Sequence, residues 1–214
     1  MNITLIDYNS GNIGSLSNSL KEAGKSFNFK FNLKITNKPE EIKKSDKVIL
    51  PGVGDFYNCK SQLSNIPGMI EALNEYIKTI GKPFLGICIG MQLMAKKSFE
   101  KGEHKGLNYF DSEVIKIKVE ERDQKVPHMG WNTVLLKDKK SFNLFKSLEN
   151  NDFYFVHSYV MKCKTQNDII ATVNYGKDLV AVVGKDNILG VQFHPEKSQL
   201  IGQQFLKEFL SWAP

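Results

Sequence analysis

A cysteine flanked by glycines lies in Gly86-Ile87-Cys88-Ile89-Gly90-Met91-Gln92, and far downstream the chain carries His194-Pro195-Glu196-Lys197-Ser198. Nucleophile, base and orienting acid are the parts of a covalent acyl-transfer site. The apolar run before Cys88 reads as a strand entering a helix through a tight turn. Small neighbours such as Gly86 and Gly90 permit the close approach this needs, and a helix N-terminus favours thiolate over thiol. Cys88 alone would read equally well as a buried structural cysteine; the glycines and the distant His-x-Glu move it towards catalysis. Pro195 stiffens the backbone between His194 and Glu196. The carboxylate can then accept from one ring nitrogen while the other takes the thiol proton. Zinc deaminases also use His-x-Glu, but followed by Pro-Cys-x-x-Cys, and no cysteine follows His194.

Pro51-Gly52-Val53-Gly54 follows a short apolar strand at what should be the same sheet edge. Its glycines free the backbone to present N–H groups. With the N–H of Ile89, the residue after the nucleophile, Val53 and Gly54 could form an oxyanion hole; the plainer reading is an ordinary glycine turn. No Gly-Lys-Ser/Thr follows, so the segment is not a phosphate loop. His128 and His157 lie in aromatic-rich stretches without a carboxylate at short fixed spacing, and the expected reading is satisfied structural histidines. Trp131, beside Gly130, fits either the core or an interface anchor.

The elements that must position these residues alternate in type. Residues 3–6, 48–50 and 84–87 read as strands. Ile13, Leu16 and Leu20 recur at helical spacing until Gly24, and Met69 to Ile80 does so until Gly81 and Pro83. Phe27 to Ile35 alternates as a strand would, and Met91 to Lys97 reads as the helix continuing after Cys88. Strands alternating with helices predict an open α/β sheet, mostly parallel and flanked by helices. The second half offers strand candidates around 115–119 and at 133–136, 153–162, 169–175, 179–183 and 188–193, then a helix marked by Ile201, Phe205 and Phe209. It is expected to add antiparallel strands to the same sheet, in one domain over residues 1–214.

Composition narrows the function classes. Hydrophobic content of 41% and charged content of 24% suit a soluble globular protein. The start has no basic n-region and no long apolar run, so the expected location is cytoplasmic, without a membrane partner. Cys59, Cys88 and Cys163 are odd in number and widely spaced, against a disulfide framework or structural zinc. The net charge of +6 rests on lysine, with Arg122 the single arginine. That is a solvated surface rather than a nucleic-acid face. No cofactor or metal is called for.

Together these motifs resemble the class I, triad-type glutamine amidotransferases. Within them, Leu50-Pro51-Gly52-Val53-Gly54, Pro127-His128-Met129-Gly130-Trp131-Asn132, Tyr154-Phe155-Val156-His157-Ser158-Tyr159 and Gln192-Phe193-His194-Pro195-Glu196-Lys197-Ser198 resemble the glutaminase subunits of imidazole glycerol phosphate synthases, over nearly the whole chain and in order. The resemblance implies a flavodoxin-like core and L-glutamine as substrate, with Cys88, His194 and Glu196 as triad. It implies Gln92, Ser158 and Tyr159 at the substrate's amino-acid end. It also implies ammonia transfer to a (β/α)8-barrel cyclase subunit in a heterodimer, with Asn12, Trp131 and Lys197 at the interface and little activity alone. The alternative is a paralogous amidotransferase feeding another synthetase, for example in sugar modification. Asn9 and Asn108 stand where the family more often has glycine, and Ile89 where it has leucine; asparagine tolerates left-handed backbone better than most residues.

Overall fold

The computed structural model describes residues 1–119, 124–137 and 144–214. The first half lays down strands and helices in alternation: β1 (Asn2–Ile6), α1 (Ile13–Ser26), β2 (Asn32–Thr36), α2 (Pro39–Lys44), β3 (Lys47–Leu50), α3 (Phe56–Ser64), α4 (Met69–Glu75) and β4 (Phe84–Ile87). A short helix, α5 (Ile89–Gln92), follows the cysteine, then β5 (Ala95–Ser98), β6 (His104–Lys105) and β7 (Phe110–Lys116). The rest is β8 (His128–Leu136), β9 (Asn151–His157), β10 (Tyr159–Cys163), β11 (Ile169–Asn174), β12 (Asp178–Lys185), β13 (Ile188–Val191) and α6 (Gln199–Ser211).

Nine strands form one sheet in the order β2-β1-β3-β4-β13-β12-β11-β8-β9. From β2 to β13 the pairings are parallel, and from β13 to β9 antiparallel. The expected α/β architecture is therefore present. The central strands read as continuous apolar runs because both faces are covered: Val48, Ile49, Leu50, Phe84 and Leu85 are fully buried.

Three expectations are corrected. The antiparallel strands do not all join the main sheet: β10, β7, β5 and β6 form a second, four-stranded one. The segment 153–162 is two strands, and the chain passes from the large sheet to the small one between His157 and Tyr159. The helix after Cys88 stops at Gln92; Ala95–Ser98 instead pairs in parallel with β7. One further boundary differs, while the helix from Met69 stops at Gly81 as expected. Phe27 to Phe31 is a connection rather than strand, and Phe31 packs so close to Gly24 that a side chain there would overlap its ring. The helix from Met69 ends in a π-turn over Tyr76–Ile80, capped by left-handed Gly81 (φ 71°). Asn9 and Asn108 adopt φ of 60° and 59°, the left-handed backbone that their side chains tolerate.

Candidate active site

Parallel strands end at one edge of the sheet, and the cavity opens there. Cys88 leaves β4 with φ 55° and ψ −111°, the strained backbone of a strand-to-helix elbow that presents a candidate nucleophile to the cavity. Its N–H donates to the Val191 carbonyl at 2.8 Å, and its carbonyl accepts from the Gln92 N–H at 3.1 Å. The flanking glycines are sterically required. A Cβ on Gly90 would overlap the Leu50 carbonyl oxygen, and one on Gly86 would overlap Met94 and the Gly90 carbonyl.

His194 follows β13, the strand beside β4, so neighbouring strands deliver thiol and imidazole to the same edge. Its N–H donates to the Tyr154 carbonyl at 3.0 Å. The buried Ser198 hydroxyl clamps the loop by donating to the His194 carbonyl at 2.7 Å and accepting from the Tyr154 N–H at 3.0 Å. A 3-10 turn over Pro195–Lys197 brings Glu196 back onto the ring, with 2.8 Å between His194 Nδ1 and Glu196 Oε1, both side chains 3% exposed. A carboxylate only accepts, so Nδ1 carries the proton and Nε2 is left for the sulfur. Burial opposes charge on the ring. The negative charge and hydrogen bond of Cys88, with those of Glu196, more than offset it and push His194 up to about 10. The imidazole is thus suited to accept a proton from the sulfur. The other two thiols are unsuited to attack: burial raises Cys59, and burial with Asp168 pushes Cys163 up to about 12.

The cavity, about 300 Å³, is lined by Cys88, His194, Val53, Gly54, Ile89, Gln92, Ser158, Tyr159, Lys197, Glu100 and His157 among others. It suits a free amino acid better than a peptide. A larger cavity of about 640 Å³, beside β10, β11 and β12, contains none of the triad. Gln92 donates from Nε2 to the Tyr159 carbonyl and to Gln192 Oε1, each at 3.0 Å, while its own Oε1 is buried without a partner. Pro51–Gly54 is tied down carbonyl by carbonyl. Tyr8 Oη donates to Pro51 O at 2.6 Å, the Ile89 N–H to Gly52 O at 3.4 Å, and Ser10 Oγ to Val53 O at 2.9 Å. The Ile89 donor expected at an oxyanion therefore faces a carbonyl here, and Gly54 has φ 119°.

The interface candidates split. Trp131 is 45% exposed and stands edge-on to Tyr154 at 6.1 Å, while Lys197 Nζ lies 5.7 Å from the same ring, so these two share a patch. Of its two sequence readings, core and anchor, Trp131 takes the exposed one. Asn12 lies elsewhere, at the N-cap of α1, its carbonyl accepting from the Leu16 N–H at 3.0 Å. His128 and His157 are hydrogen-bonded to each other at 2.9 Å, as expected of satisfied histidines, yet His157 also faces the cavity. Glu100 was not found from the sequence. It accepts from the Phe56 N–H at 2.8 Å and reaches the cavity only because β5 doubles back.

The histidines give the fold a signed pH dependence. Burial first, aided for His157 by the charges of His128 and His194 and opposed by its bond to the Tyr159 carbonyl, lowers both rings to about 4. The unfolded chain, with ordinary histidine values near 6.5, binds those protons first. Their contribution is complete above about pH 6.5 and is lost as pH falls towards 4. Between pH 6.5 and 5, stability should fall by on the order of 1–2 kcal/mol per pH unit. Chemical denaturation at several pH values checks this. His194 acts in the opposite sense: its contribution is complete below about 6.5 and fades as pH rises towards 10.

The family model described as glutamine amidotransferase class-I matches residues 4–212. Curated relatives named imidazole glycerol phosphate synthase subunit HisH match throughout. The Pelagibacter ubique protein is 43% identical over 212 residues, covering 99% of this chain and all of the relative. The Zymomonas mobilis protein is 42% identical over 212 residues, covering 99% and 96%. The Rhodopseudomonas palustris protein is 39% identical over 218 residues, covering all of both. Among solved structures, one described as a glutamine amidotransferase superposes with a TM-score of 0.70 at 16% identity, covering 97% of each chain. The acivicin-bound glutaminase domain of Trypanosoma brucei CTPS gives 0.62 at 14%, covering 99% of this chain and 92% of that one. At such identities these two speak for the fold alone. From the elbow at Cys88 to the His194–Glu196 turn, the chain belongs to the class I glutamine amidotransferase family.

Proposed function

We propose that this chain, working as one domain over residues 1–214, is the glutaminase subunit of an imidazole glycerol phosphate synthase in histidine biosynthesis. Full-length identity of about 40% to proteins of that name carries the reading. It also outweighs the alternative, a paralogous amidotransferase supplying ammonia to a different synthetase, for example in sugar modification.

Glutamine enters with its side-chain amide at the sulfur. Glu100 suits the substrate's ammonium as the carboxylate in the cavity wall, and Gln92 with the Ser158–Tyr159 backbone suits the rest of the amino-acid end. His194 takes the Cys88 proton and the sulfur adds to the amide carbon. The oxyanion is met by N–H groups around Val53, Gly54 and Ile89. His194 then gives its proton to the departing nitrogen and ammonia leaves a glutamyl thioester. Water, deprotonated by His194, attacks that thioester and releases glutamate and the free thiol. Glu196 keeps the ring oriented throughout.

Ammonia released in this way needs a consumer, and a (β/α)8-barrel cyclase subunit that makes imidazole glycerol phosphate and an aminoimidazole carboxamide ribotide is the proposed heterodimer partner. Met129, 65% exposed, extends the patch of Trp131 and Lys197, and Val53 exposes an apolar side chain at the cavity rim. Among the described residues no helix is long and apolar enough to cross a membrane, in keeping with a cytoplasmic pathway enzyme. Because the Ile89 N–H already serves Gly52, the chain alone should hydrolyse glutamine slowly. Adding the barrel subunit and its ribonucleotide ligand should raise turnover at least 100-fold in a coupled glutamate assay. No stimulation would overturn the assignment.

A further inference from the structure

His128 and His157 are among the buried titratable groups that the chemistry above leaves unused, and their hydrogen bonds run in one direction. His157 Nδ1 lies 2.9 Å from the Tyr159 carbonyl, which can only accept, so Nδ1 carries the proton. Nε2 of the same neutral ring must then accept, and it faces His128 Nδ1 at 2.9 Å, which must donate. That leaves His128 Nε2 as an acceptor, and Asn132 Nδ2 stands 3.3 Å from it while also donating to the Asn174 carbonyl at 2.8 Å. Every polar atom of both rings is thereby assigned. The sandwich of His128 between Phe155, centroids 4.9 Å apart, and Tyr175, 4.2 Å apart, holds its plane.

The relay ends on an atom that matters to the cavity. The Tyr159 carbonyl takes a second hydrogen bond, from Gln92 Nε2 at 3.0 Å. Tyr159 also opens β10, paired with Lys116 of β7, directly after the chain crosses from the large sheet to the small one. We infer that His157 and His128 are positioning residues of the glutaminase site: a relay with fixed tautomers that holds the Tyr159 carbonyl, and through it Gln92, in the wall that receives the substrate's amino-acid end. The role rests on the glutaminase assignment above. The far end of the relay, Asn132, follows Trp131 on β8, so the partner-facing strand and the substrate wall share one line of hydrogen bonds.

Nitrogen-15 NMR of the histidine rings in the isolated chain tests the relay whether or not the chain is a glutaminase. Both rings should show the Nδ1–H tautomer at pH 7, and an Nε2–H tautomer at His157 would overturn the relay. In the complex with the barrel subunit, His157→Leu should lower kcat/KM for glutamine at least tenfold, chiefly through KM, with ammonia-dependent synthesis unchanged. His157→Asn, whose amide can still donate to Tyr159, should recover most of that loss. His128→Phe keeps the stacking but removes the donor; it should raise KM and free His157 to populate the other tautomer. A wild-type complex without glutaminase activity would sink the assignment. An active wild type whose His157→Leu variant has an unchanged KM would sink the relay.

Discussion

Replacing Cys88 by alanine should cut glutamine-dependent synthesis by the complex by at least about 10⁴-fold, the scale seen when a triad nucleophile is removed. Synthesis from added ammonia should continue at the wild-type rate. The asymmetry follows from where the sulfur sits. Cys88 is 4% exposed at the floor of the cavity, and no other thiol substitutes for it, since Cys59 and Cys163 are buried and hold their protons tightly. The use of added ammonia by the partner does not need the triad. Alanine also keeps the elbow intact, because it meets the same left-handed backbone that cysteine already occupies at φ 55°. Loss of both activities would show that Cys88 supports the fold or the partner contact instead of attacking an amide. A glutamine analogue that alkylates thiols should label the wild type once, at Cys88, and leave the variant untouched.

Gly90→Ala should be among the most disruptive methyl additions at the described glycines. Its Cβ would overlap the Leu50 carbonyl oxygen, and backbone cannot swing aside as a long side chain does. The cost should be about 3 kcal/mol, at the upper end for overpacking a tight site. Glutaminase activity should disappear even where the chain still folds. The reason is local geometry: Gly52 also approaches Gly90 closely, with a Cβ on Gly52 falling 2.8 Å from Gly90 N. The elbow that aims Cys88 and the loop that offers Val53 and Gly54 are thus pressed backbone to backbone. Pushing them apart moves nucleophile and oxyanion donors together. Urea denaturation gives the stability and the coupled assay gives the activity. By contrast, Gly14→Ala meets nothing within 4 Å and should change neither by much.

Those glycines, with the cysteine and the His-Pro-Glu turn, were legible because their chemistry is local. A strand running into Gly-x-Cys-x-Gly needs no distant partner to be recognised, and the buried parallel strands declare themselves as short apolar runs. Long-range pairing hid the rest. Met91, Leu93, Met94 and Ala95 are apolar at helical spacing, yet Ala95–Ser98 is a strand because β7 pairs with it. Ser158 divides β9 from β10 without any glycine or proline to mark the break. The second sheet draws its four strands from stretches as far apart as residue 95 and residue 163, which alternation within one strand cannot reveal. Glu100 escaped notice for the same reason, since its neighbours in sequence have no part in the cavity. The two internal histidines were rightly read as satisfied, but only the folded arrangement shows that they satisfy each other and the wall of the cavity.

Cys88 donates to the Val191 carbonyl, and His194 follows three residues later, just past the end of that neighbouring strand in a turn that Ser198 clamps. The distance between sulfur and imidazole is therefore ruled by the spacing of two adjacent strands deep in the sheet, rather than by any flexible loop. Breathing of the outer elements leaves that ruler intact. Catalytic competence in such a design ages with the whole domain: the reacting pair comes apart only when the centre of the sheet does.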